Sequence, residues 1–265
     1  MAMPKRNYRM AYNVYKPKTI TAEAVETVIS KYDWDFAWSG DLADGTEIAP
    51  FAGEVVIPIE NGGPDLNGST SGLTESAIGD ALVDKALVAN ATGDYRLTPS
   101  ASIGALAPGL SDISARMIFR IPSDVTATSA MGRIQQDVGS YWDLLLQTNE
   151  VPLIRWRHGL GTAQSFSLTG LGKSTYVLLD WAFDADIDGV NARGYTFANG
   201  VDFTPADYAR NATGWANNAG VSVLSTDTGS PATQGSWLFF GIQKGVLRTE
   251  AEHLEDAEEL GLYTP

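Results

Sequence analysis

The sequence contains no cysteine, which excludes disulfides and thiolate metal sites. It has only two histidines, His158 and His253, too few for the usual nitrogen shell of a zinc enzyme. No run approaches the roughly 18 apolar residues that a membrane span needs. The opening "MAMPKRNYRMAYNVYKPK" has no apolar stretch of the signal-peptide kind. These absences set the expectation of a soluble chain made in the cytosol, without a membrane partner. No internal repeat at a period of about 20–50 residues is present, and no glycine-rich phosphate loop or Ser-His-Asp arrangement stands out.

Charge is unevenly placed along the chain. Residues 1–22 carry five basic and no acidic side chains, whereas the rest of the 265-residue chain carries 13 basic against 32 acidic ones. An acidic body repels nucleic acid, whereas a basic arm seeks an acidic surface: another protein, a neighbouring copy of the chain or, as the lesser alternative, nucleic acid. Lys5, Arg6, Arg9, Lys16 and Lys18, interleaved with Tyr8, Tyr12 and Tyr15, therefore form a candidate partner-binding arm. The alternative is a solvated basic tail. Pro4 and Pro17 disfavour helix in it. In "TAEAVETVISKY", Thr21 can cap a helix, and Val25, Val28, Ile29 and Tyr32 recur at helical spacing. The expected division is residues 1–32 as arm plus amphipathic helix and 33–265 as one β-domain.

The remainder is rich in glycine, with short β-branched and aromatic runs between Ser, Thr, Asn, Asp and Gly clusters, the texture of an antiparallel sandwich. "DWDFAWSG" places Trp34, Phe36 and Trp38 on one strand face. Pro58 marks "EVVIPIE" as an edge strand or a strand end. "SARMIFRIP", "RIQQD", "YWDLLLQT" and "VPLIRWRH" read as a run of antiparallel strands. "TYVLLDWAFDADID" is the longest strand candidate, and "RGYTFANGVDF" a strand and hairpin turning at Asn199-Gly200. "SWLFFGIQ" closes the sheet. After it, Thr249 and Glu252 form a Thr-x-x-Glu capping box, and Gly261 is placed to stop a helix. Ala251, Leu254, Ala257 and Leu260 supply that helix with a narrow apolar stripe, leaving an acidic face for solvent.

This order of a long strand, an Asn-Gly hairpin, "SWLFFGIQKG" and "VLRTEAEHLEDAEELGL" resembles the second half of a concanavalin A-like lectin/glucanase, or laminin G-like, jelly roll. In that family the last strand is commonly followed by a helix of the pattern leucine, threonine, two residues, glutamate. Leu247, Thr249, Glu250 and Glu252 follow it, with Arg248 inserted. The resemblance spans residues 34–262 and implies an antiparallel jelly-roll sandwich; with the residues read above, the expected chain is mainly β, with an extended N-terminal arm and one short helix near each end.

Glucanases of this fold carry Glu-x-Asp-x-x-Glu on one strand, since retaining hydrolysis needs two carboxyl groups about 5 Å apart. No such stretch exists here. The nearest approach, Asp180 and Asp184, would stand roughly 13 Å apart on an extended strand. No catalytic residue is assigned, and hydrolysis ranks third among the readings. Asp184, Asp186 and Asp188 of "DADIDG" reproduce the start of a calcium loop, the only cofactor considered, although its twelfth position is Tyr195 rather than glutamate. The alternative is a solvated strand end. Trp34, Trp38, Trp181 and Trp237 sit in period with apolar neighbours as core. Trp215, in the polar stretch "NATGWANNAG", is a candidate glycan platform or else a loop anchor. His158 beside Arg157 reads as a polar strand end. The resemblance extends to sandwiches found in bacteriophage virions. The leading expectation is accordingly a non-enzymatic virion component, of decoration or fibre type. It would assemble in the host cytoplasm as a homo-oligomer and bind other virion proteins through the arm. The alternative is an adhesin or carbohydrate-binding module that recognises a host-surface glycan.

Overall fold

The computed structural model describes residues 20–43, 47–58, 60–61, 73–76, 86–89, 95–96, 105–107, 112–122, 125, 128–137, 140–149, 151–157, 163–209, 215–218, 220–223 and 235–265. The arm residues Lys5 to Lys18, and His158, lie outside them. In chain order the elements are α1 Ala22–Ser30, β1 Phe36–Ala43, β2 Glu47–Ala52, β3 Ile57–Pro58, β4 Glu60–Asn61, β5 Leu73–Ser76, β6 Ala86–Ala89, β7 Tyr95–Arg96, β8 Ala105–Ala107, β9 Ile113–Arg120 and β10 Ser129–Asp137. There follow β11 Ser140–Leu146, β12 Pro152–Arg157, β13 Gln164–Ser167, β14 Tyr176–Asp184, β15 Asn191–Ala198, β16 Val201–Asp202, β17 Tyr208–Ala209, β18 Trp215–Asn218, β19 Gly220–Val223, β20 Gly235–Lys244 and α2 Glu250–Glu259.

The strands build an antiparallel sandwich. Its larger sheet runs β16-β15-β14-β9-β20-β1-β2-β3, with β6 also paired to β20, and the smaller runs β13-β12-β11-β10-β19. Of the expected run of four strands, β10, β11 and β12 form a meander that β13 continues, whereas β9 lies in the larger sheet between β14 and β20; β3 with Pro58 is an edge strand, where a missing N–H is tolerated. Between the sheets lies an aromatic core. Trp181 stacks on Trp142 at 5.7 Å between centroids and meets Trp156 edge-on at 6.3 Å, and Trp142 stacks on Phe240.

The larger sheet is buried on its outer face as well. A second apolar cluster there joins Ile20, Val25, Val28, Ile29 and Trp34 to Ile118, Leu178, Leu238, Phe239, Leu260 and Leu262. The stripe of α1 therefore sits on the sandwich itself. Thr21 caps that helix by accepting from Ala24 N at 3.1 Å. Trp34 departs from the alternation expected of it. A bend at Asp35 precedes β1, so Phe36 and Trp38 face the inner core while Trp34 packs outside, with its Nε1 donating to Ile29 O at 2.7 Å. Trp34 lies directly on β20: a Cβ at Gly241 would fall 2.5 Å from its Cε3. A bulge in β20 between Trp237 and Phe239 turns Leu238 and Phe239 both outward, so one apolar run serves both clusters.

The capping box of α2 is formed: Thr249 Oγ1 accepts from Glu252 N, and Glu252 Oε2 accepts from Thr249 N. Gly261, at φ +66°, ends the helix with Gly261 N donating to Glu258 O and Leu262 N to Ala257 O, a Schellman pair. Thr249→Ala should lower stability by about 1 kcal/mol in a urea titration. The docking stripe expected for α2 needs correction. Ala251 is exposed and Leu254 only half-buried, while His253 and Asp256 are fully buried beside Ala257 and Leu260. The face toward the sheet is largely polar because the sheet presents charged partners to it.

Candidate functional site

Those partners form a closed network. Arg116 on β9 and Asp180 on β14 are cross-strand neighbours, joined by two hydrogen bonds of 2.8 Å. Arg116 Nη1 also pairs with Asp256 Oδ2 at 2.6 Å, Arg248 Nε lies 3.3 Å from Asp180, and His253 Nδ1 lies 2.7 Å from it. Tyr32 Oη donates to Asp256 Oδ2 at 2.6 Å, and its ring carries the Arg248 guanidinium 3.8 Å from the centroid. Lys31 Nζ closes the rim on Asp256 and Glu255. Burial pushes the Asp180 carboxyl up, but the Arg116 charge, the His253 bond and Arg248 hold it far below the usual carboxylate range. A carboxylate this buried and this firmly ionised has no access to a substrate and no proton to give. Its role is to bind the two helices to the sheet.

Tyr32 titrates on the opposite side of neutrality. Burial and the bond to Asp256 raise its pKa to about 12. A phenol held above its unfolded value of about 10 stabilises the fold below that pH, and the contribution is lost as pH rises from about 10 to 12. Urea titrations should show stability falling over that window, and Tyr32→Phe should flatten the fall.

At one end of the sandwich the β13–β14 connection and the β15–β16 hairpin enclose a cleft of about 560 Å³. Gly170 at φ +92° and Ser174 at φ +55° shape the first wall. It is tied to the end of β9 by Arg120 Nε donating to Ser174 O and Ile121 N to Thr175 O. The second wall is the Asn199-Gly200 turn, with φ of +47° and +79°, positive at both residues as a type I′ hairpin requires. Asn199 fixes that turn to β14: its Oδ1 accepts from Leu178 N and its Nδ2 donates to Tyr176 O, each at 2.9 Å. Leu171, Val201 and Phe203 give the cleft apolar surface, Thr169, Ser174 and Thr175 give hydroxyls, and Lys173 gives a cation. No carboxylate is among its described lining residues. Such a mixture matches a ligand with apolar C–H faces and a hydroxylated edge.

The residues singled out in the sequence fall elsewhere. Asp184, Asp186 and Asp188 follow one another through the β14–β15 turn, where each carboxylate accepts from a loop amide: Asp184 from Asp186 N, Asp186 from Gly189 N, and Asp188 from Val190 N and Asn191 N. They do not converge on a common point, and no group of three or more acidic or histidine side chains that could hold a metal ion occurs among the described residues. Burial, followed by the Asp184 charge, raises the pKa of nearby Asp112. Trp215 opens strand β18, paired with Ala107 of β8, rather than sitting in a loop. Pairing overrides the low strand propensity of its polar neighbours. Its side chain lies outside the described residues. No described helix is long and apolar enough to cross a membrane.

The cleft residues escaped notice in the sequence. Their signal was the paired glycines of "TGLGKST" ahead of a long strand, together with the apolar Val201 directly after an Asn-Gly turn.

No protein-family model matches the chain, and no curated protein matches it. Solved structures do. The binding domain of botulinum neurotoxin DC in complex with SialylT superposes with a TM-score of 0.55 at 8% identity, over 86% of this chain and 51% of that one. Domain 4 of AbnA, a GH43 extracellular arabinanase from Geobacillus stearothermophilus, in complex with arabinotriose, gives 0.53 at 16% identity, over 85% and 98%. A Trypanosoma rangeli sialidase gives 0.56 at 9% identity, over 87% and 33%. The chain thus spans about half the length of the neurotoxin chain and a third of the sialidase. At these identities the likeness is one of fold: the chain is an antiparallel β-sandwich.

Proposed function

We propose that the protein is a non-enzymatic carbohydrate-binding module whose ligand occupies the cleft between the β13–β14 connection and the β15–β16 hairpin. The observation that carries this reading is the lining itself, which sets Leu171, Val201 and Phe203 beside three hydroxyls and one ammonium. Two structures of like fold are complexes, one with SialylT and one with arabinotriose. Those ligands support the chemical class and no particular sugar. Among the described lining residues there is no carboxylate, which favours binding over hydrolysis, since glycosidic cleavage calls for a carboxyl pair. A glycan array is the test. Wild-type protein should retain a defined set of glycans, and Phe203→Ala should weaken that retention by at least about tenfold, as loss of an aromatic contact does. An array without hits, or retention indifferent to Phe203→Ala, would remove the reading.

The charge of residues 1–22 favours a second reading that is compatible with the first. Five basic and no acidic side chains ahead of an acidic body suit an anchor on an acidic protein lattice, as in a virion component. Deleting residues 1–18 should then abolish incorporation into particles while leaving the sandwich folded.

A further inference from the structure

The buried network and the cleft meet at one residue. Gly200 donates its N–H to His253 Nε2 at 3.0 Å, and His253 Nδ1 stands 2.7 Å from Asp180 Oδ2. An N–H directed at Nε2 requires a lone pair there. That contact is one a ring in the Nδ1–H tautomer makes, with Nδ1 then donating to Asp180. Tyr263, just beyond α2, lies against the same turn, since a Cβ at Gly200 would fall 2.2 Å from its Cδ2. Asn199 and Val201, on either side of Gly200, line the cleft.

We propose that His253 is the positioning residue of the cleft and renders it acid-sensitive. Neutral, it holds the Asn199-Gly200 turn and with it Val201 and Phe203; protonated, it releases that wall. The proposal rests on the reading of the cleft as the glycan site. The ring meets Asp180 of β14, Gly200 of the hairpin and, at 5.7 Å between centroids, the Phe197 ring of β15. Asp180 in turn holds Arg116 of β9 and Arg248 ahead of α2; Arg116 holds Asp256 of α2, which also takes Tyr32 and Lys31, and Glu252 acts on Arg248. A proton on Nε2 sets two N–H groups head to head.

One side must then give way. The helix is capped at both ends and packed through Ala257 and Leu260, whereas β16 is two residues long and Val201 is 49% exposed. The hairpin turn is the weaker side, so the motion falls on the cleft wall.

The test uses the full ¹⁵N-labelled chain at about pH 7.5 and about pH 5, on either side of the ordinary imidazole range. With two histidines in the chain, His158→Gln assigns the imidazole signals. At the higher pH the His253 ring should show the Nδ1–H tautomer, with Gly200 N–H exchanging slowly. At the lower pH, Gly200 exchange should accelerate at least about tenfold beyond its intrinsic pH dependence, and the Val201 and Phe203 amides should shift while α2 stays protected. Arabinotriose and 3′-sialyllactose serve as binding probes. Whichever binds should do so more weakly at the lower pH in wild type, and without that pH response in His253→Gln. A ring that stays neutral at about pH 5, or one that protonates while Gly200 stays protected, would overturn the proposal without recourse to any variant. Failure of both sugars to bind at either pH would count against the glycan reading alone, since the imidazole and amide signals decide the role of His253 by themselves.

Discussion

Asp180→Asn is expected to lower the unfolding free energy by about 3–5 kcal/mol, the range for breaking a fully buried ion pair by removing one partner. The substitution keeps the shape of the side chain, so packing is not the cause. It removes the charge that answers Arg116, which has no exposure and no route to water. Arg116 would retain Asp256, but Tyr32 and Lys31 already engage that carboxylate. Urea titration of the purified chain near neutral pH checks this, and a loss below about 1 kcal/mol would mean that the network is dispensable. The pH dependence has a fixed sign. The folded pKa of Asp180 is depressed, so its contribution is fully present above the unfolded carboxylate value of about 4 and is lost as pH falls below it. The variant should lack this component of the acid limb.

Trp181→Ala is expected to cost about 3–5 kcal/mol, as large aromatic truncations in a closed core do. Trp181 is fully buried at the junction of the two sheets. It stacks on Trp142 at 5.7 Å and on Phe183 at 5.8 Å, and it meets Trp156 edge-on. Neighbours held by their own strands cannot collapse into the space, so a cavity remains. The near-UV circular dichroism of the coupled rings should fall together with stability. A variant of nearly wild-type stability would show that the sheets can close around a missing indole.

The large strands were legible because burial imposes a period. β14 and β9 are mostly apolar on their inner face, and the structure buries them on both faces, with Asp180 and Arg116 paired on the outer one. β12 alternates and is buried on one face, like an ordinary outer strand. The Asn199-Gly200 turn, the capping box at Thr249 and the stop at Gly261 are local chemistry and were read directly. Contacts that depend on distant partners were not. His253 and Asp256 look like members of a solvated acidic helix until Arg116 and Arg248 are brought beneath them. Trp34 keeps strand spacing with Trp38 in sequence, and one bend at Asp35 sends it to the other side of the sheet. The aspartates of "DADIDG" have a cation-binding spacing, yet the turn they occupy engages their oxygens with its own amides. The cleft was invisible for a related reason: its two walls lie some 30 positions apart and meet only because β14 and β15 pair.

The most direct test of the glycan reading is a titration of the ¹⁵N-labelled protein with the strongest array hit, following every backbone amide. The shifts should concentrate at residues 169–175 and at Val201 and Phe203, saturating with one affinity. Shifts gathered instead on the outer face of the smaller sheet, around Arg133, Asp143 and Arg155, or saturable binding that leaves the cleft amides unmoved, would contradict it.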